Sequence, residues 1–151
     1  PVVYLQNSGE GNIVNPVASL LNERVYGVPC VFVVGWRGEP NVHDEPQHIF
    51  QGMITLQLLK DLEITPFVVE KDGSKEEFNA FCTLAEKLTR EGKSVAFVIK
   101  KGALESEAKA DFQNNYTMTR EEVIRRIVAA CGDDVVISTT GKASRELFEI
   151  R

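Results

Sequence analysis

The sequence predicts an α/β fold, a doubly wound parallel sheet in three αβα layers, on three observations. Four short, continuously apolar runs rich in β-branched residues begin roughly thirty residues apart, the length of a βαβ unit. Each of the first three is followed by a polar or glycine-containing turn and then by apolar residues at helical spacing. The runs do not alternate polar with apolar, which marks strands covered on both faces, and right-handed βαβ crossovers supply that cover.

In order, Val2 to Leu5 is the first strand. Gln6-Asn7-Ser8-Gly9-Glu10-Gly11-Asn12 is a turn, and Ile13 to Asn22 reads as a helix with Pro16 in its first turn. Pro29 to Trp36 is the second strand. The polar loop Gly35 to His48 follows, and Asp44-Glu45-Pro46 reads as the start of a helix, with Asp44 near its positive end and Ile49, Met53, Leu56 and Leu59 on one face. Thr65 to Glu70 is the third strand. Its helix opens on the capping box Ser74-Lys75-Glu76-Glu77, carries Phe78, Phe81, Cys82, Ala85 and Leu88 on one face, and stops at Gly92. Ser94 to Ile99 is the fourth strand.

Beyond Leu104 the character changes. Glu105 to Asn115 is polar and suits a surface linker; a second capping box, Thr119-Arg120-Glu121-Glu122, opens a helix expected to bury Val123, Ile124, Ile127 and Val128. Gly132 ends it. Asp134 to Ser138 then reads as a fifth strand, leading through Thr139-Thr140-Gly141-Lys142-Ala143-Ser144 into another helix. A strand, turn and helix beyond a polar linker read as the start of a second domain. The chain opens directly on a strand after Pro1 and closes on Arg145 to Arg151, the first turns of a helix, so both halves are expected to be incomplete.

With 17 Lys and Arg against 22 Asp and Glu, a net charge of -5 and no long basic cluster, the chain has no footprint for nucleic acid or an anionic membrane. Its longest apolar runs have strand length, too short to span a bilayer. Cys30, Cys82 and Cys131 are an odd, widely spaced set inside or beside apolar segments. They read as reduced, buried thiols of an intracellular, cytoplasmic protein.

Three constellations can carry chemistry. The glycines between Gln6 and Asn12 let backbone N–H groups approach a ligand before a helix, although Gly9 and Gly11 do not complete a dinucleotide fingerprint and a tight turn explains them as well. Thr139 to Ser144 places hydroxyls, a glycine and a lysine after a strand, where a phosphate or an ordinary helix cap at Thr140 or Ser144 fits equally. The Gly35 to His48 loop offers Arg37 for bidentate anion binding and His43 and His48 for proton transfer, against the plainer reading of a solvated loop held by its own ion pairs. The two histidines are five apart and lack a second pair, so a metal site is not expected.

The runs Gln6 to Pro16, Gly35 to Pro40 and Asp44 to Gly52, together with Thr140-Gly141-Lys142-Ala143-Ser144-Arg145-Glu146-Leu147-Phe148-Glu149, resemble the phosphonopyruvate decarboxylases, a thiamin diphosphate-dependent family. The resemblance covers nearly the whole chain. Sulfopyruvate decarboxylase, a related family, shares the Gly-x-Gly-Asn turn and the Trp-Arg-Gly loop but not the Asp-Glu-Pro-Gln-His continuation.

The resemblance implies a thiamin diphosphate-binding fold. Residues 1–104 are then the later part of a pyrimidine-binding domain, 105–132 a linker and helix, and 133–151 the first strand and turn of a diphosphate-binding domain. It implies a small anionic 2-oxo acid substrate, a homo-oligomer of at least two subunits, and Mg2+ bound by residues outside this chain, as is the glutamate that activates the cofactor. On that basis the chain alone neither binds the cofactor tightly nor decarboxylates. Gln6, Asn7, Ser8 and Arg37 then fall to substrate binding, His43 and His48 to catalysis, and Thr140, Gly141 and Ser144 to the cofactor diphosphate, with Lys142 a weaker candidate. A sulfopyruvate or other 2-oxo acid decarboxylase is the nearest alternative, and a non-catalytic Rossmann-like ligand-binding or interaction module is the alternative of another class.

Overall fold

Continuous apolar runs become parallel strands when helices cover both faces, and the chain does this with two helical layers of unequal extent. The computed structural model describes residues 1–105, 115–139 and 141–151. The chain divides into two units, Pro1–Glu107 and Ala108–Arg151.

The first unit runs β1 (Val2–Gln6), a 3-10 turn (Asn7–Gly9), α1 (Glu10–Pro16) continuing as a π-helical stretch (Val17–Leu21), and β2 (Val31–Gly35). It continues through α2 (Pro46–Asp61), β3 (Thr65–Val69), α3 (Lys75–Arg90) and β4 (Val95–Ile99). The four strands are all parallel, in the order β1-β2-β4-β3. The chain steps from β1 to its neighbour β2, passes over to β3, and returns to β4, so the crossovers use both faces. The predicted doubly wound αβα sheet is the observed one.

On one face Phe32, Val34, Ala96 and Val98 pack with Val17, Leu59 and Ile64, which come from the α1 and α2 side. On the other, Phe67 and Val95 meet Ala85, Phe81 and Leu88 of α3, and the Phe67 and Phe81 rings stack at 5.2 Å. Phe32, Val34 and Val98 are 1% exposed or less, each worth about 1.5–3 kcal/mol of burial. The second layer stops short: Val2 and Tyr4, on the α3 face of the edge strand β1, stay 56% and 79% exposed. Pro66, which has no N–H to donate, is tolerated because β3 is the opposite edge.

Several local expectations change. Pro16 closes the α-helical part of α1 instead of lying in its first turn, and the helix widens to π geometry beyond it. The Ser74 hydroxyl accepts from Glu77 N–H at 3.1 Å, the hydroxyl half of the expected box. In α2 the buried stripe is Gly52, Thr55 and Leu59, while Ile49 and Met53 are exposed, because the helix docks on backbone and polar groups at its N-terminal half. All three cysteines are free, but only Cys30 is buried; Cys131 is half-buried and Cys82 exposed. Cys82 is one residue, about 100°, past Phe81, which turns it off the narrow stripe that α3 presents to the sheet.

The second unit contains α4 (Arg120–Cys131) and α5 (Lys142–Ile150). The Thr119 capping box is fully formed. Arg120 grips Glu146 of α5 with two bonds, 2.7 and 2.5 Å. The predicted fifth strand does not form: the segment from Asp134 to Ser138 has no ladder, and Val135 and Ile137 are 88% and 92% exposed. A strand exists only against a partner, and no strand is present among the described residues of this unit. For the same want of a covering layer, Val123 and Ile127 are exposed, and only Ile124 and Val128 are half-buried.

Candidate active site

In parallel sheets the strand ends where chains turn toward their helices form the natural binding edge. Here a cleft of about 510 Å³ lies there, lined by Gln6 at the end of β1, Trp36 and Arg37 beyond β2, Lys100 and Lys101 beyond β4, and His43 from the loop. Loop geometry is set from beneath. Asn7, wholly buried, donates from Nδ2 to Arg37 O at 2.7 Å and to Thr55 Oγ1 at 2.9 Å, while Arg37 N–H donates to Asn7 Oδ1 at 3.1 Å. A single carboxamide thus satisfies both backbone groups of Arg37, as a strand neighbour would.

The loop then crosses α2 at two glycines. Gly38 has φ +66°, and a Cβ there would overlap the His48 carbonyl; a Cβ on Gly52 would overlap the Gly38 carbonyl. The Trp36 indole N–H donates to Gly52 O at 3.0 Å, closing the same contact.

Electrostatics complete the loop. Asp44 does not cap α2, whose N-cap is Glu45 with no side-chain bond. Instead its carboxylate receives Arg37 Nε at 2.7 Å, Arg37 Nη2 at 2.5 Å and Gly38 N–H at 2.8 Å. The Arg37 fork and then the Gly38 N–H hold the Asp44 carboxyl far below the usual range, and the same pair raises Arg37. Lys100 is paired as well: its Nζ lies 2.7 Å from Glu70 and 2.9 Å from Glu39, and 5.9 Å above the Trp36 ring. Glu70 first and Glu39 second raise its pKa. Of the cations lining the cleft, Arg37 and Lys100 are therefore neutralised by carboxylates, and Lys101 is the one without a partner among the described residues.

The other candidates fall as follows. Gln6 lines the cleft and accepts at 2.8 Å from the exposed Ser8 hydroxyl. His43 is exposed on the cleft wall, whereas His48 is half-buried in the first turn of α2 and does not line it. Arg37 reaches the cleft with its guanidinium already engaged. In the second unit, Thr140 lies outside the described residues; Gly141 is the N-cap of α5 at φ 114°, and among the described residues no side chain caps the first N–H groups of this nine-residue helix. The Ser144 hydroxyl turns onto the Thr139 carbonyl and receives Ser138 Oγ at 3.1 Å. Lys142 is exposed.

Lys100 and Lys101, which line the cleft, and Thr55 and Gly52, which support its loop, are residues that pattern reasoning passed over. Two legible signals existed: a glycine inside a helical pattern, Gly52, marks close backbone approach, and a charged pair directly after a strand, Lys100-Lys101, marks the strand-end edge. Among the described residues no group of three His, Cys, Asp or Glu side chains is placed to hold a metal, and no helix is long and apolar enough to cross a membrane.

No protein-family model matches the chain. Two curated proteins named phosphonopyruvate decarboxylase, from Streptomyces viridochromogenes and Streptomyces hygroscopicus, are 32% and 31% identical to it over 96% of its residues. The chain spans about 40% of the length of these relatives. The family that the turn, loop and Thr-Gly-Lys-Ala-Ser motifs resemble is thus the family met by whole-chain comparison: over 96% of its residues this chain is similar to the phosphonopyruvate decarboxylases.

Proposed function

We propose that this chain carries part of the active site of a thiamin diphosphate-dependent decarboxylase that converts phosphonopyruvate to phosphonoacetaldehyde and carbon dioxide. The observation that carries this reading is the similarity to two phosphonopyruvate decarboxylases over 96% of the chain. A cleft at the strand ends of the first unit, with one uncompensated cation on its wall, is consistent with it.

The residues divide the work by their surroundings. Lys101 supplies the positive charge that attracts a doubly anionic 2-oxo acid, and Gln6 offers an amide for orienting it. His43, exposed on the wall, is placed to exchange a proton with a bound ligand. Arg37 acts through its backbone and its pair with Asp44, which fix the wall's shape, and Lys100 holds Glu39 and Glu70 in the same way. Asn7 and Gly52 hold the loop in register.

The diphosphate of the cofactor fits the uncapped N-terminus of α5, where Gly141 and the first-turn N–H groups present unpaired donors, with Thr140 and Ser144 beside them in sequence. When bound, thiamin diphosphate supplies the electron sink that decarboxylation of a 2-oxo acid requires. Magnesium would be held by residues outside this chain. The working enzyme on this reading is a cytoplasmic homo-oligomer of at least two subunits.

The test is carbon dioxide release by the protein that contains this chain, with thiamin diphosphate and Mg2+, on phosphonopyruvate and sulfopyruvate in parallel. Preference for phosphonopyruvate is expected; preference for sulfopyruvate overturns the substrate, and activity on neither overturns the decarboxylase reading.

A further inference from the structure

Glu10 is the first residue of α1 and is wholly buried, yet among the described residues no cation faces it. Its Oε2 accepts from Gln51 Nε2 at a long 3.3 Å, and its Oε1 has no partner. The Thr55 hydroxyl also faces this carboxyl. The groups facing it are therefore Gln51 and Thr55 from α2, with Asn7 of the preceding turn one bond further on. None of these titrates, and among the described residues no charged side chain acts on it. Burial of a carboxylate without a countercharge is costly. It pushes the Glu10 pKa up to about 7, only partly offset by Gln51 and Thr55, which favour the charged form.

This carboxyl is wired to the cleft. Thr55 Oγ1 donates to Gln51 O at 2.8 Å and accepts from Asn7 Nδ2 at 2.9 Å, and Asn7 grips the Arg37 backbone at both its carbonyl and its N–H. A hydroxyl has one proton to give. While it goes to the Gln51 carbonyl, Thr55 is oriented to receive Asn7; an ionised Glu10 competes for that proton as the stronger acceptor and rotates the hydroxyl away from this arrangement.

We propose that Glu10 is a positioning residue for the Arg37 loop: as a neutral acid it leaves Thr55 and Asn7 holding the Arg37 backbone, and as a carboxylate it draws Thr55 away and loosens that hold. Ionisation passes the proton to solvent and changes nothing else covalently. The inference makes no use of the reaction assigned above and stands or falls without it.

The chain has a single tryptophan, Trp36, next to Arg37, so its fluorescence reports the loop. In the full chain, a sigmoidal fluorescence change centred near pH 7 is expected, absent in Glu10→Gln, which is permanently neutral, and retained in the double variant His43→Gln, His48→Gln. A transition that survives Glu10→Gln, or that vanishes with the histidines, overturns the proposal. Infrared spectroscopy of the unmutated chain decides the matter even where Glu10→Gln does not fold. At about pH 6 ordinary carboxyls are ionised, so a protonated-carboxyl band that fades together with the fluorescence change is expected, and its absence overturns the proposal.

Discussion

Gly38 and Gly52 meet backbone to backbone, the carbonyl of the first occupying the space that a side chain on the second would need. Through this contact the Arg37 loop lies directly on α2, and the cleft wall takes its position from a helix as well as from the loop's own Arg37–Asp44 pair.

Gly52→Ala tests that contact. The added methyl must displace main chain that cannot rotate aside, so the expected loss is about 1–3 kcal/mol. It should appear as a lower urea midpoint, with quenching or shift of Trp36 emission as the loop lifts. An unchanged midpoint would show that the loop yields freely.

Asp44→Asn keeps the shape but removes the charge that holds Arg37. Asp44 has its folded pKa depressed, so the stability it contributes is present above its unfolded value and is lost as pH falls toward the folded value. The variant is therefore expected to have a lower Tm at neutral pH and a flatter decline of Tm in acid than the unmutated chain. Equal Tm values across that range would show the pair to be inert.

Glu10 gives the opposite slope. Its folded pKa is raised from 4.5 to about 7, so its contribution is fully present below 4.5 and is lost as pH rises through about 7. A shift of this size corresponds to about 3 kcal/mol. Urea midpoints should fall over this interval in the unmutated chain and stay level in Glu10→Gln; parallel curves would contradict the assignment.

If the proposed decarboxylase reading holds, Lys101→Ala raises KM for the anionic 2-oxo acid roughly tenfold while kcat changes little, the loss of one charge-assisted contact made alike in ground and transition states. Lys101→Arg should recover most of the affinity. Loss of kcat with KM unchanged would place Lys101 in the chemistry instead.

Thiol labelling reads the two faces of the sheet. Cys82 is exposed and Cys30 buried, so brief alkylation followed by mass spectrometry should find Cys82 modified first, Cys131 more slowly, and Cys30 only on unfolding. Early labelling at Cys30 would mean that the α1 and α2 layer opens in the native state.

The parallel α/β class, the four strands of the first unit and the helix-starting roles of Ser74 and Thr119 could be read from the sequence, because apolar continuity, helical spacing and capping are local properties. So was the decarboxylase resemblance, carried by contiguous motifs. The fifth strand was not legible. Val135, Val136 and Ile137 have strand propensity, but a ladder needs a neighbour that local pattern cannot supply. The partners of Arg37 and Lys100 were hidden for a related reason: a lone arginine in a polar loop reads as a free anion clamp until the fold returns Asp44 to its fork. Glu10 lies further still from pattern, since a glutamate beginning a short helix ordinarily faces water, and only the packing of α2 over that turn removes the water and leaves its carboxyl to a threonine and a glutamine. The sequence by itself thus determined the layers and the strand-end edge where the cleft lies, and the tertiary structure alone decided which charges on that edge are paired within the protein and which stay unpaired, because charge pairing depends on distances between residues far apart in the chain.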